Sequence, residues 1–441
     1  RTVLVLGASY GGHHAAQVLV TQLPQNWRVV VIERNTHYNH LYAFPRVSVV
    51  PGHEEKVFIP YTKLFQPPSE RVTSSNNELI HGVLKSLGHR ESEQSEGRGV
   101  ARYIPIDETY NPNSHEQSQI RTIAFDYMIF ALGSILPAPI NTWSVPSGKL
   151  DDEASKILQN GKAGFWGGKQ RGVKWLRETQ DRIAAAESIL IIGGGALGVQ
   201  YASDIAWMYG TATSSPKKIT ENIESLLPRF QDWMHENATA ELEKLGVEIH
   251  TGARADLSTL DETPNGKKRV IKTTTGKEID ADLVLFCTGQ RPNTDFLAGF
   301  ATETGKEPSN PFINPSNGSA YVTPTLQLTL ADRKPNPELQ HIFVIGDAAD
   351  AYGALNAGHT AFSQGHVAAE NIAKLVYDQE IPGFPQPLQA YEVESHKIKV
   401  SVGLDRAINE NTGNHKVIEG GKVDLNTPGM WTRRGLDVSD L

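Results

Sequence analysis

Residues 2–6 form a short apolar, β-branched run that breaks at Gly7 and passes through Ser9 to Gly11 and Gly12. A helix-like stretch follows over 13–23, and a second apolar run over 28–32 ends in Glu33. The same order returns later. Residues 188–192 are apolar, Gly193, Gly195 and Gly198 give a full G-x-G-x-x-G, and a helix pattern continues to about 207. A strand that turns sharply into a helix and comes back as a neighbouring strand is the building unit of a parallel sheet. Two such units constrain the chain to an α/β fold with two Rossmann-like halves.

The remaining pattern supports that class. Strands are expected over 79–87, 120–127 and 127–132, and polar hairpin loops over 91–99 and 111–119. An irregular, Pro- and Gly-rich connection spans 137–172. Helices are expected over 175–186, 233–245 and 360–376. Strands are expected over 247–250, 282–286, 341–345 and 397–402, with a hairpin over 270–279 turning at Gly276. A chain of 441 residues has room for two or three domains. The reading is a first nucleotide-binding domain over 1–140 and 290–380, split around a second over 175–289. A short C-terminal α+β segment covers 381–441.

Composition removes several classes of function. The net charge is -8 and the sequence contains no long Lys/Arg block, which argues against a nucleic-acid partner. Apolar stretches fall well short of the roughly 20 residues needed to span a bilayer. Peripheral membrane contact and oligomeric state stay open. The single cysteine, Cys287, excludes an internal disulfide and a redox Cys pair. It sits in an apolar run and reads as a core residue. The 15 histidines have neither the spacing nor the company of a metal site, and read mostly as surface residues. The chain enters a strand at once with no signal-peptide pattern. Targeting is not readable, and an intracellular, cytoplasmic placement is expected.

The glycine turns carry the chemistry. At a helix N-terminus, free N–H groups and the macrodipole favour a diphosphate. Gly7 permits the tight turn, and Gly12, next to Gly11, permits close packing of helix on strand. Ser9 stands at the usual middle glycine; it is small enough for the approach, and its hydroxyl can donate. Glu33, ending the second strand, is placed for adenosine ribose hydroxyls. Asp347, directly after a strand, is placed for the ribityl chain of FAD; by itself it would read as a helix cap. Gly193, Gly195 and Gly198 predict a second dinucleotide; the alternative is a retained fold with an empty pocket.

With Gly133 of Ala131-Leu-Gly and Gly289 of Cys287-Thr-Gly, these elements resemble the two-dinucleotide-binding-domain flavoproteins. They resemble in particular the apoptosis-inducing-factor-like branch that includes the ferroptosis suppressor and its fungal homologues. Beyond those elements the resemblance takes in Trp175-Leu-Arg-Glu-Thr-Gln and reaches Met430-Trp-Thr-Arg-Arg, and so covers nearly the whole chain. It implies reduction of quinone-like acceptors by NAD(P)H with FAD as the hydride relay. It also implies that Arg46 and Lys56 lie near the flavin: Arg46 on the diphosphate or the ring edge, Lys56 as a candidate catalytic cation stabilising reduced flavin. Gln200 stands where many flavin reductases carry Glu.

One departure is visible. Family members have a clear strand after the second glycine helix; here residues 211–216 look like a loop, and the strand is reduced to Ile219 and Ile223. Glu221 or Glu224 would hold ribose hydroxyls or be solvated charges. The leading function is therefore an FAD-dependent oxidoreductase acting on a small organic acceptor with NAD(P)H. The alternative is an FAD-dependent oxidase or tailoring enzyme with a vestigial NAD(P) site. Such an enzyme would draw hydride from an organic substrate and be reoxidised by oxygen.

Overall fold

The structure, a computed structural model, describes residues 1–68, 71–90, 97–106, 120–143, 167–210, 218–222, 225–252, 254–256, 269–301, 310–383, 385–395 and 397–441. The loops expected over 91–99, 111–119 and 211–216, and most of the connection expected over 137–172, lie largely or wholly outside these residues. So do Ile223 and Glu224.

The elements that position the site run in this order. Strand β1 (Thr2–Leu6) leads into helix α1 (Tyr10–Gln22) and strand β2 (Arg28–Glu33). A four-residue helix α2 (Phe44–Val47) follows, then β3 (Glu78–His89), β4 (Gly99–Pro105), β5 (Arg121–Phe125) and β6 (Tyr127–Phe130). Helix α3 (Lys169–Ala185) opens the second unit: β7 (Ser188–Ile192), α4 (Ala196–Tyr209), β8 (Lys218–Asn222), α5 (Asp232–Lys244), β9 (Glu248–His250) and β10 (Leu283–Phe286). The chain then returns through β11 (Ile342–Val344) and α6 (Gly358–Glu380). It closes with β12 (Lys397–Ser401), β13 (Arg406–Asn411), β14 (Asn414–Glu419) and α7 (Thr427–Thr432).

The first sheet has the order β11-β6-β1-β2-β3-β4-β5. Its first five strands are parallel, and the β3-β4-β5 end is antiparallel. β1 and β6 are buried along their whole length, as a central parallel strand covered on both faces must be. Each Val, Leu or Ile placed there contributes about 1.5–3 kcal/mol. The second sheet, β9-β8-β7-β10, is parallel throughout.

β8 corrects the expectation of a degraded strand. Five consecutive residues pair with β7, from Ser188 opposite Lys218 to Ile192 opposite Asn222. A strand lying between two others is held by ladder bonds on both sides. An apolar run is therefore not required, and periodicity undercounts it.

The C-terminal meander β12-β13-β14 is antiparallel. Its Val400, Val402, Leu404 and Ile408 share one core cluster with Ile205 of α4 and Phe44 of α2. The tail thus seals the junction where the two sheets meet, and this brings α2, α4 and the meander to one point. The described residues include no helix long and apolar enough to cross a membrane.

Candidate functional site: a cleft between two glycine turns

The first turn is held by its own backbone. Gly7 has φ +88°, a conformation L side chains rarely adopt, and a Cβ there would lie 2.7 Å from the Ala131 carbonyl oxygen. A Cβ on Gly12 would run into the Gly7 carbonyl, and one on Gly11 would lie 2.6 Å from the Ala361 carbonyl of α6. Helix α1 begins beyond Ser9, which gives no side-chain cap, and its first turn carries no acid. The opening amides of α1 therefore keep their donors for a ligand.

Glu33 is only 6% exposed, and its carboxylate accepts from the Ala8 amide at 2.6 Å and from the Asn35 amide and side chain at 2.9 Å each. It fixes the glycine turn itself, and a carboxylate retains acceptor capacity for a sugar hydroxyl beyond those three bonds.

Asp347 follows β11 in the short turn Gly346–Ala348. It accepts from the Ser134 hydroxyl at 3.1 Å and from the Gln290 amide. Burial pushes its carboxyl above the usual range, and the Ser134 bond works against that shift. Gly133 lies beside it, its carbonyl accepting from Asn293 N at 2.8 Å. There the strand pair Ser134–Ile135 and Arg291–Pro292 joins the two halves of the chain.

The second turn is looser. Gly193 has φ +114°, and a Cβ there would strike the Cys287 carbonyl. Cys287 is buried, in line with its reading as a core residue. Helix α4 starts after Gly195 (φ -68°, ψ -179°) with no side-chain cap and no acid in its first turn. A Cβ on Gly195 or on Gly289 would meet nothing within 4 Å. Leu227 N closes the loop on the Gly194 carbonyl at 2.8 Å. Gly198 is buried in α4. Gln200 is 5% exposed, and its buried Nε2 has no hydrogen-bond partner.

One continuous cleft of about 2520 Å³ runs past both turns. Single-ligand pockets occupy about 300–1,000 Å³, so this cleft has room for more than one dinucleotide-sized molecule. Of the residues expected at the two glycine turns and the flavin, all line it except Gly12, Lys56 and Gly198.

Lys56 departs from its expected place. Lys56 is off the cleft: its Nζ lies 3.0 Å from His53 Nδ1, and its carbonyl accepts from Trp431 Nε1 at 2.8 Å. It is not a candidate for charge stabilisation in the cleft. Trp431, which makes that bond, is itself core, at 1% exposed.

Arg46 touches the cleft but is fully buried, and its guanidinium is spent elsewhere. It donates to Asp204 Oδ2 at 2.8 Å and to the carbonyls of Gly403 (2.7 Å), Val423 (3.2 Å) and Leu404 (3.4 Å). This strut ties α2, α4 and the tail at their meeting point. Asp204 was missed by sequence reasoning; the available signal was a lone acid on an otherwise apolar helix face. Burial pushes its carboxyl up to about 6, with Arg46 pulling the other way.

The histidines also depart from a surface reading, since His13, His40 and His341 are buried. His13 and His40 lie at the first turn, and burial, together with the nearby Arg434 charge, lowers each to about 3. His40 Nδ1 pairs with the Tyr10 hydroxyl at 3.1 Å. His359 lines the cleft at the start of α6.

The site fits a dinucleotide at the first turn. The Cβ-free cradle, the uncapped helix start and the two carboxylates Glu33 and Asp347 match a diphosphate flanked by two polyols. The second turn repeats the cradle and the uncapped helix start.

Comparison with known proteins identifies the family. The family model for pyridine nucleotide-disulphide oxidoreductases matches residues 1–365. The chain is 46% identical over 442 residues to Fe-regulated protein 8 of Mycosarcoma maydis, covering 100% of this chain and 96% of that protein. It is 24% identical to apoptosis-inducing factor homolog B of Dictyostelium discoideum, over 84% of this chain and 79% of the relative. Among solved structures, the sulfide:quinone oxidoreductase of Aquifex aeolicus aligns with a TM-score of 0.66 at 14% identity, covering 100% of this chain and 92% of the other. The NDH2 of Plasmodium falciparum in complex with NADH aligns at 0.64 and 9% identity, covering 96% and 92%.

Proposed function

The chain belongs to the pyridine nucleotide-disulphide oxidoreductase family and is an FAD-dependent oxidoreductase, and from that premise we propose that it carries hydride from NAD(P)H to a quinone-like or other small organic acceptor. The observation that carries the proposal is the pair of uncapped helix starts, α1 and α4, opening onto one cleft. With a single cysteine, no dithiol can relay the electrons inside this chain.

The division of labour follows the residues. Residues 1–140 and 290–380 hold FAD: Gly7, Ser9, Gly11 and Gly12 shape the diphosphate cradle, Glu33 takes the adenosine ribose, and Asp347 beside Gly133 takes the ribityl hydroxyls. FAD, when bound, supplies two-electron hydride chemistry that no side chain here possesses. Residues 175–289 hold NAD(P)H on Gly193, Gly195 and Gly198. Gln200, with a spare buried amide, and Gly289 line the route between the two turns. Residues 381–441 close the cleft from the tail side. The chain's contribution to rate is positioning: two flat rings held in contact, with water displaced.

The intact ladder of β8 also supports this reading. It removes the reason for treating the second turn as vestigial, so the oxidase alternative has no observation of its own.

The test is an anaerobic stopped-flow experiment. Oxidised protein is mixed with NADH or with NADPH, and the flavin absorbance band is followed. Bleaching with at least one donor, then recovery on adding a water-soluble quinone faster than in buffer, is expected. No bleaching with either donor would overturn the proposal.

A further inference from the structure

The C-terminal motif Met430-Trp-Thr-Arg-Arg matched the family pattern without acquiring a role, and the structure gives its last residue an unusual setting. Arg434 lies two residues past α7, lines the cleft and is only 7% exposed. Among the described residues it has no carboxylate partner. Its one recorded hydrogen bond runs from Nη1 to the Met430 carbonyl at 3.0 Å, and its buried Nε has no partner. The guanidinium lies over the Tyr38 ring, 3.5 Å from the centroid. Around it stands a shell of rings: Tyr10 and His13 pack on Tyr38 at 5.2 and 6.1 Å between centroids, and His40 and Tyr61 also feel its charge.

A buried cation without a counter-ion is costly, and native chains keep one where a ligand completes the pair. The same shell includes Tyr10 and His13, which sit in the first turn of α1. That turn lacks both an acid and a side-chain cap. Two unmet demands for negative charge therefore converge on one stretch of the cleft, one from the helix start and one from a side chain of the distant tail.

We propose that Arg434 is the counter-charge of the FAD diphosphate, delivered from the C-terminal tail to the N-terminus of α1. The proposal rests on the reading of the first turn as the FAD site. It gives the tail a second purpose: besides sealing the core, it supplies a cofactor-binding cation that neither glycine turn encodes. Arg46, which the family resemblance would have placed in that role, is occupied by Asp204.

The test compares FAD dissociation constants for the purified full-length protein and for Arg434→Gln and Arg434→Lys, by ultrafiltration and flavin fluorescence at low and high salt. Losing a charge-assisted bond to phosphate should weaken FAD by about 10- to 100-fold in Arg434→Gln. Arg434→Lys keeps the charge but loses the planar fork, so its loss should be clearly smaller than that of Arg434→Gln. Affinity should fall with salt more steeply in the wild type than in Arg434→Gln. Equal loss in both variants would mean the guanidinium only packs against Tyr38, and would overturn the proposal. Wild-type FAD affinity in Arg434→Gln would overturn it, and a raised KM for a quinone would then put the guanidinium on the acceptor side of the cleft. A wild-type protein that takes up no FAD would instead sink the reading of the first turn itself.

Discussion

At the first glycine turn the chain is braced on every side. Gly7 rests against Ala131, Gly11 against Ala361 of α6, and Gly12 against the carbonyl of Gly7, while Glu33 grips the Ala8 amide. At the second turn Gly193 is pressed against Cys287, while Gly195 faces open space. The two turns share a sequence plan and an uncapped helix start, yet one is a rigid mould and the other an open shelf. A rigid mould suits a group that stays, because the cost of ordering the site is met once, at folding. An open shelf suits a molecule that arrives and leaves in each cycle. The difference accords with a resident flavin at the first turn and an exchanging nicotinamide at the second.

The strut between the turns offers the hardest test of the comparison. Arg46 comes from the first half and Asp204 from the second, and both are fully buried. Breaking one partner strands a buried charge, so Arg46→Met should cost about 3–5 kcal/mol, read by denaturant unfolding. Arg46→Met with Asp204→Leu should recover most of that loss. If the double variant is no better than the single one, the three carbonyl acceptors of Arg46 matter more than the pair, and the strut is a tail anchor rather than a link between halves.

Gly12→Ala probes the mould directly. Its Cβ would have to displace the Gly7 carbonyl, a backbone atom that cannot turn aside. Overpacking of this kind costs about 1–3 kcal/mol and at backbone contacts more. The variant should be purified with little flavin, measured as the ratio of visible to protein absorbance. Full flavin content would show that the first turn is as tolerant as the second.

Much of this was legible in the sequence, for identifiable reasons. Gly7, Gly193 and Glu33 carry their meaning locally: a positive φ or a strand-end acid is a property of a few adjacent residues. β8 was misjudged because its neighbours, not its own apolar content, hold it in the sheet. The strut role of Arg46 was hidden because its partner Asp204 lies far along the chain, in the second unit, whereas Lys56 turns its ammonium to His53, three residues away. Arg434 was invisible as a site residue for the same reason. Sequence pattern reports what a segment does for itself; long-range ion pairs and orphaned charges emerge only when the halves are brought together.

Acid should also separate the two turns. His13 and His40 sit at the first turn with folded values of about 3, against an ordinary 6.5, and burial is the first cause in each. The second helix, α4, buries no histidine. A lowered folded value means the folded state binds fewer protons than the unfolded chain. Stability is then complete above pH 6.5 and lost as pH falls from there towards 3. Each histidine withdraws about 1.4 kcal/mol per pH unit in that window. His13→Phe should flatten the lower part of the melting temperature–pH profile measured between pH 7 and pH 4. An unchanged slope would mean that carboxylates elsewhere dominate acid unfolding.

The smallest structural effect should come from Gly195→Ala, and it carries the sharpest functional contrast. The backbone there is ordinary for any residue, and the new Cβ meets nothing within 4 Å. Alanine is the poorer residue at a helix start, but it also reduces the freedom of the unfolded chain, and these effects offset to within about 1 kcal/mol. Flavin content and melting temperature should therefore stay close to wild type. The space the methyl group enters is the space in which a second diphosphate would approach the α4 amides. The KM for NADH or NADPH should rise about 10-fold, the equivalent of about 1.4 kcal/mol of lost contact, while the rate of quinone reduction at saturating donor changes little. If KM does not move, nothing binds against Gly195 during turnover. The second turn would then be a piece of scaffold, and the distinction between mould and shelf would say nothing about residence and exchange.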